Sequence, residues 1–287
     1  MKITKAVIPA AGFGTRILPS TKSIPKEMFP VVDKPAIHYI VEEAVKSGIT
    51  DILIITNRGK EAIENYFDVS PELEKLLLKT GKEKILEEVS SISKMANIYF
   101  VRQKETKGLG HAISCAKSFV GSEPFAVLSG DDIIKSKTPV CAQLISAYEE
   151  FGKCVVAAKE MPKEEIHKYG SLKVENIKDN LFMCTDMVEK PQPSQVLSLY
   201  SILGRYILLP EIFDILEKTL PGAGGEIQLT DALKVIAHKS GVIMVDFEGK
   251  RYDMGNKLGA MQAAVEFALE HPEIKEDFKN YLKNIKL

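Results

Sequence analysis

The 287-residue sequence has four cysteines, Cys115, Cys141, Cys154 and Cys184, and no CxxC pair among them. A disulfide framework is therefore set aside, and a reduced, intracellular protein is expected. No apolar stretch reaches transmembrane length, and Met1-Lys2-Ile3-Thr4 leads straight into a strand-like run without a signal-peptide core. A cytoplasmic protein with no membrane partner is the expectation. Charge of one sign is also missing: the formal net charge is -1. No global field draws the chain to a nucleic acid polymer or an anionic membrane, so any anionic substrate needs a local cluster of cations. Internal repeats, low-complexity linkers and a clean domain boundary are absent too.

What is present is ordinary globular material, 45% hydrophobic and 27% charged, enough to bury a core. Lys5 to Pro9 reads as a short buried strand, and Asp51 to Thr56 as a parallel strand covered on both faces. Strands at Asn97 to Arg102, Pro124 to Ser129 and Lys153 to Lys159 alternate with helices. The helices are expected at Pro35 to Gly48, Gly59 to Phe67, Pro71 to Ser93, Leu109 to Phe119 and Pro139 to Phe151. This alternation predicts an α/β fold, a Rossmann-like three-layer sandwich whose central sheet is mixed and mainly parallel. After Met161 short strand-like pieces follow one another (Ser171 to Ile177, Leu181 to Glu189, Gly204 to Leu209), suggesting an antiparallel extension or small sub-lobe. Helices at Pro210 to Lys218 and Gln228 to Lys239, a strand at Val242 to Phe247 and two tail helices complete the chain.

The first strand runs into Ala10-Ala11-Gly12-Phe13-Gly14-Thr15-Arg16. Two glycines let backbone N–H groups approach and cradle a phosphate. A dinucleotide fingerprint needs a third glycine where Ile17 stands, and no GK[ST] occurs, so the Rossmann dinucleotide and P-loop readings both fail. Arg16 supplies a fork-shaped donor and Lys26, ten positions on, a second cation. Such a pair beside a glycine turn suits a polyphosphate. The plainer alternative is a strand-to-helix turn with two solvated cations.

Gly12-Phe13-Gly14-Thr15-Arg16, Pro25-Lys26-Glu27-Met28 and Val32-Asp33-Lys34-Pro35 resemble the sugar-1-phosphate nucleotidyltransferases, in particular their bacterial uridylyltransferases acting on UTP and glucose 1-phosphate. The resemblance continues through Lys107-Gly108-Leu109-Gly110-His111, Val188-Glu189-Lys190-Pro191, Gly204-Arg205-Tyr206, Glu226 to Asp231 and Asp253-Met254-Gly255-Asn256-Lys257. It implies a single domain over 1–287, with a nucleotide-binding half (1–160), a sugar-phosphate-binding half (161–256) and C-terminal helices (257–287). It also implies a homodimer or homotetramer, with UTP and glucose 1-phosphate as small-molecule partners.

Residue by residue, the resemblance assigns UTP to Ala10, Ala11, Gly12, Gly14, Thr15, Arg16, Lys26, Gln103 and Gly108. A Gln amide is both donor and acceptor and can read the mixed edge of uracil. Ser129-Gly130-Asp131-Asp132 ends an apolar strand, where ligands of open α/β sheets collect. Hard carboxylate oxygens there suit Mg²⁺, with Asp131 the expected ligand and Asp253 a second. Alternation along an extended chain turns Asp132 elsewhere, toward the sugar phosphate. Glu189 is assigned to glucose hydroxyls and Lys190 to the sugar phosphate, with Gly170 and Gly204 closing the pocket. Glu226 and Asp231 are expected to support that same sugar side, and His111 to be structural or a phosphate neighbour. Gly225 stands where many relatives carry an acid, a difference that touches only the finer sugar contacts.

The implied reaction is attack by a phosphate oxygen of glucose 1-phosphate on the α-phosphorus of UTP, giving UDP-glucose and pyrophosphate. Arg16, Lys26, Asp131 and Lys190 carry the catalysis by positioning and charge. Two rivals follow from the same residues: thymidylyl or another nucleotidyl transfer to a hexose 1-phosphate, and a non-catalytic nucleotide-sugar-binding regulator. One methyl separates thymine from uracil, a discrimination of about 1–3 kcal/mol.

Overall fold

In the computed structural model, which describes residues 1–286, the first apolar run forms β1 (Lys5–Pro9) with its three central residues buried. The first half continues with β2 (Pro30–Val31), β3 (Lys34–Pro35), β4 (Asp51–Thr56), β5 (Asn97–Arg102), β6 (Phe125–Leu128) and β7 (Asp132–Lys135). The second half supplies β8 (Val155–Glu160), β9 (Gly170–Lys178), β10 (Leu181–Glu189), β11 (Tyr200–Leu208), β12 (Val242–Asp246) and β13 (Lys250–Asp253).

Nine strands form one mixed sheet in the order β5-β4-β1-β6-β11-β8-β12-β10-β9. The first four run parallel. β11 enters antiparallel between β6 and β8, β12 runs parallel to β8, and β10 and β9 close the far end as an antiparallel pair. Only β10 and β11 oppose the other strands, so the mainly parallel expectation holds, and the antiparallel extension begins where the helix rhythm stops. Side chains alternate between two cores. Val7, Leu53, Ile55 and Val127 face one, and Ile8, Ile52, Ile54 and Leu128 face the other. Helices Leu229–Ser240 and Glu211–Leu216 cover the first face, and helices Ala36–Lys46 and Val140–Phe151 the second. Three layers result.

Several local expectations differ from the structure, among them the single helix at Leu109 to Phe119, which is broken into Leu109–Ser114 and Lys117–Val120. The stretch from Pro71 to Ser93 is not one helix but two, Pro71–Lys79 and Glu83–Ile92. Gly81 between them adopts a left-handed φ of 68°, and the Thr80 hydroxyl donates to Leu76 O at 2.9 Å, ending the first helix. A further difference is the β7–β13 ribbon, which sets Asp132 opposite Asp253. No local pattern announces a pairing between segments so far apart, yet it builds the centre of the site.

Candidate active site

The turn after β1 is held from both sides: Ala10 N donates to Ile55 O at 2.8 Å and Gly130 N to Pro9 O at 3.2 Å. Ala10 is thereby buried; Ala11, buried too, lines with Gly12 and Thr15 a cleft of about 440 Å³ that has Gln103 and Gly108 across it. Gly14 lies behind this wall and accepts from the Thr21 hydroxyl at 2.8 Å. Arg16 faces a second, wider cleft of about 750 Å³ together with Lys190, Arg251 and Asp253. Asp131 borders both clefts.

The cations and carboxylates alternate in sign. Lys26 Nζ sits 2.5 Å from Asp131 Oδ2. Arg16 makes a forked contact with Asp253, Nη1 to Oδ2 at 3.1 Å and Nη2 to Oδ1 at 3.4 Å. Burial disfavours the charged Lys26 ammonium, but Asp131 and then Glu27 outweigh it and hold the Lys26 pKa above the ordinary lysine value. Burial likewise pushes the Asp131 carboxyl up, and Lys26 overcomes it, leaving Asp131 below the ordinary aspartate value. Both members of this pair are therefore charged.

Asp131 Oδ2 and Asp253 Oδ1 each lie 2.9 Å from the position a β-carbon would take on Gly255, and the Arg16 guanidinium Nη2 lies closer still to it, so the two carboxylates converge on one spot with a cation already between them. Among the described residues no cluster of three or more His, Cys, Asp or Glu side chains could hold a metal. Two convergent carboxylates fit a hard cation that draws its remaining oxygens from phosphates, and they do not fit a protein-enclosed site. Asp132 turns away from this spot, as alternation predicts. Its Oδ1 lies 2.6 Å from Arg251 Nη2, and its Oδ2 occupies the space where a β-carbon on Gly204 would stand. Gly204, at φ 62°, marks the irregularity in the β11–β8 register that admits this carboxylate.

On the cleft wall opposite the glycine turn, Gln103 is 4% exposed. Its Nε2 donates to Gly108 O at 3.1 Å and meets His111 Nδ1 at 2.9 Å. The carbonyl partner fixes the amide orientation and leaves Oε1 as the acceptor. His111 is thus a structural partner of Gln103. Gly108, at φ 98°, presses so closely on Glu226 and Ile227 that a β-carbon there would lie 2.6 Å from Glu226 Cβ. Ile227 N donates to Lys107 O, and Ile227 O accepts from Gly110 N, both at 2.8 Å. This stitching carries Glu226 to the Gln103–Gly108 cleft, which corrects its expected place on the sugar side.

Of the residues expected on the sugar side, Asp132, Gly170, Glu189 and Gly204 meet in a smaller hollow of about 160 Å³, with Thr230 and Arg251 among the others that line it. Glu189 Oε2 accepts from the Thr230 hydroxyl at 2.6 Å. Burial lifts the Glu189 pKa above the ordinary carboxylate value, against that hydrogen bond and Lys190. Lys190 has a positive φ of 46° and donates its N–H to Tyr169 O at 3.0 Å. That bend turns Lys190 out of the Glu189 hollow and into the wide cleft with Arg16.

Arg251 joins hollow and cleft, lining both. Its guanidinium stands 5.4 Å from the Tyr169 ring centroid. Although Arg251 and Asp132 are close, the N–H groups do not align, and Asp132 Oδ1 and Arg251 Nε are both buried without a hydrogen-bond partner among the described residues. Sequence reasoning does not single out Arg251. Its spacing holds the signal: two residues before Asp253 on a strand, it shares that residue's face.

Residues 5–269 match the family model described as nucleotidyl transferase. The chain belongs to this family. This nucleotidyltransferase is 51% identical over 284 residues to the UTP–glucose-1-phosphate uridylyltransferase of Staphylococcus epidermidis, covering 99% of both chains. Among solved structures it is similar to a UTP-bound UGPase from Acinetobacter baumannii, at 39% identity and a TM-score of 0.92 over 99% of this chain and all of that one. A UDP-glucose pyrophosphorylase complexed with UDP-glucose shares 42% identity and a TM-score of 0.86, over 94% of this chain and 100% of the other. No helix among the described residues is long and apolar enough to cross a membrane.

Proposed function

We propose that this nucleotidyltransferase joins UTP and glucose 1-phosphate into UDP-glucose with release of pyrophosphate. The observation that carries the reading is the chemistry of adjoining clefts: an amide-lined end at Gln103, a carboxylate-lined hollow at Glu189, and Arg16, Lys26, Lys190 and Arg251 about the clefts between them. The near-full-length relatives that carry out or bind the same chemistry support it.

In this reading Gln103 Oε1 accepts the N3–H of uracil, and the Gly108 backbone lies against the base. Ala11, Gly12 and Thr15 offer backbone to the triphosphate, while Ala10 and Gly14 shape the turn from behind. Glu189 accepts from glucose hydroxyls, Gly170 and Gly204 leave room for the ring, and Lys190 meets the sugar phosphate. Asp132 holds Arg251 beside it. Asp131 and Asp253 would hold Mg²⁺, which would supply charge neutralisation to the substrate phosphates.

A sugar phosphate has its second pKa near about 6 and is already a dianion at neutral pH. No general base is required. One of its oxygens forms the new bond to the α-phosphorus as the bond to the bridging oxygen of pyrophosphate breaks, and pyrophosphate leaves with that electron pair. The protein's contribution is to hold two polyanions in line and to meet the leaving charge with Arg16 and Lys26. Residues 1–160 serve mainly the nucleotide and 161–256 mainly the sugar phosphate, with Asp132 and Glu226 crossing between the halves, within one domain that the C-terminal helices complete.

We further read the protein as a cytoplasmic homodimer or homotetramer. The exposed Leu258 and Met261 on helix Lys257–Ala268 support an association face, and light scattering of the purified chain reads the mass directly. The reaction itself is tested by a matrix of UTP, dTTP and ATP against hexose 1-phosphates, with pyrophosphate release as readout. UTP with glucose 1-phosphate is expected to be fastest; preference for dTTP, or no turnover on any pair, overturns the reading.

A further inference from the structure

Beside the triphosphate cations lies a buried ion pair that the reaction leaves unused. Glu27 is 1% exposed and Lys60 6%. Lys60 Nζ donates to both Glu27 oxygens at 2.8 Å. Lys60 stands between β4 and helix Glu61–Phe67, far in sequence from the glycine turn. Burial raises the Glu27 pKa and lowers that of Lys60, so each charge bears a desolvation cost that its partner offsets only in part. Apolar residues of equal volume would commonly serve stability as well or better. A pair of this kind needs a reason other than stability.

Its place supplies one. Glu27 follows Lys26 in a single 3₁₀ turn, Lys26–Met28, closed only by Met28 N to Pro25 O at 2.8 Å and Phe29 N to Lys26 O at 3.2 Å. One turn of such a helix has little stability of its own. Successive side chains on it diverge by about 120°, so Lys26 reaches toward Asp131 while Glu27 reaches toward Lys60. Fixing Glu27 fixes the rotation of the turn, and with it the line along which Lys26 can point. The Lys26 ammonium stands 3.9 Å from the β-carbon position of Gly12, against the phosphate turn. Lys60 also neutralises Glu27, which would otherwise draw Lys26 away from a phosphate.

We infer that Lys60 is a positioning residue: through Glu27 it clamps the Lys26 turn so that the Lys26 ammonium stays aimed at the triphosphate. The inference rests on the reading of Lys26 as a UTP ligand. The test uses the full chain carrying Lys60→Met, Lys60→Arg, or the double change Glu27→Gln with Lys60→Met. KM and kcat for each substrate and thermal denaturation are measured on all three. Lys60→Met is expected to lower kcat/KM for UTP at least about tenfold, with the KM for glucose 1-phosphate within about twofold of wild type, and to melt earlier. Lys60→Arg keeps the bridge and recovers most of the UTP kinetics. The double variant buries no unpaired charge, regains the melting temperature and keeps the UTP defect. Should Lys60→Met not fold, the double variant decides alone. Recovery of UTP kinetics together with stability in the double variant, or an equal rise in the KM values for both substrates, overturns the clamp. A wild-type chain without uridylyl transfer overturns the functional reading and the clamp with it, whereas an active wild type with no split between substrates overturns the clamp alone.

Discussion

Lys26 Nζ and Asp131 Oδ2 are 2.5 Å apart although 105 positions separate them in sequence. The contact joins the turn after the glycine loop to the end of β6, and it pairs the ammonium proposed to meet the triphosphate with a carboxylate that also faces Asp253.

Asp131→Asn keeps the size of the side chain and removes its charge. Turnover is expected to fall by about 10² or more, as for loss of other preorganised electrostatic contacts, with the fold retained. Asp132→Asn acts differently, because Asp132 is 4% exposed and partners Arg251. Leaving that guanidinium without its buried partner is expected to cost about 3–5 kcal/mol of stability. Urea denaturation and steady-state rates on both variants check this; a larger rate loss in Asp132→Asn at equal stability reverses the metal assignment.

Arg16 is well exposed, its side chain 61% accessible, and its forked contact is with Asp253. Removing it is therefore expected to leave the fold alone and, in the proposed reaction, to take charge from the leaving pyrophosphate. Arg16→Ala is expected to lower kcat by about 10²-fold in the forward direction and in pyrophosphorolysis of UDP-glucose alike, since both share one transition state. Arg16→Lys restores only part, because a point charge does not replace a fork. Wild-type rates in either direction reduce Arg16 to a surface residue.

Lys190 and Arg251 meet in the wide cleft from different elements. Lys190→Ala is expected to raise the KM for glucose 1-phosphate by about tenfold or more, in line with about 1.5–3 kcal/mol for one charge-assisted contact, while the KM for UTP stays near wild type. Arg251→Met should follow the same pattern if its guanidinium serves the sugar phosphate. Equal losses for both substrates place these residues outside the sugar side.

His38, buried against Tyr66 at 3.0 Å, has its pKa lowered by burial, and next by Lys34, from 6.5 to about 4. The folded state thus binds its proton less readily than the unfolded state. Stability from the neutral imidazole is complete above about 6.5, declines as pH falls, and is gone below about 4. Unfolding free energy measured across that window should slope upward with pH, and His38→Gln should flatten part of the slope. An unchanged slope assigns the pH dependence to other groups.

Much of this was legible in the chain itself. The apolar runs at Lys5–Pro9 and Asp51–Thr56 became strands with those bounds, because a run that short and apolar has only a sheet interior in which to be buried, and Asn97–Arg102 became the half-exposed edge strand beside them. The glycine turn, the Arg16–Lys26 spacing and the carboxylates after β6 pointed to phosphate chemistry because residue type alone sets charge and donor geometry. The tertiary structure decided what depends on distant partners. The β7–β13 pairing brings Asp253 to Asp131 and Arg251 to Asp132. The Ile227 bonds move Glu226 to the Gln103–Gly108 cleft. Burial turns Glu27 and Lys60, two ordinary charges on the page, into a clamp beneath Lys26. Local sequence encodes propensity and charge over a few residues, whereas burial and cross-chain contact arise only when the sheet closes and segments a hundred residues apart share one edge.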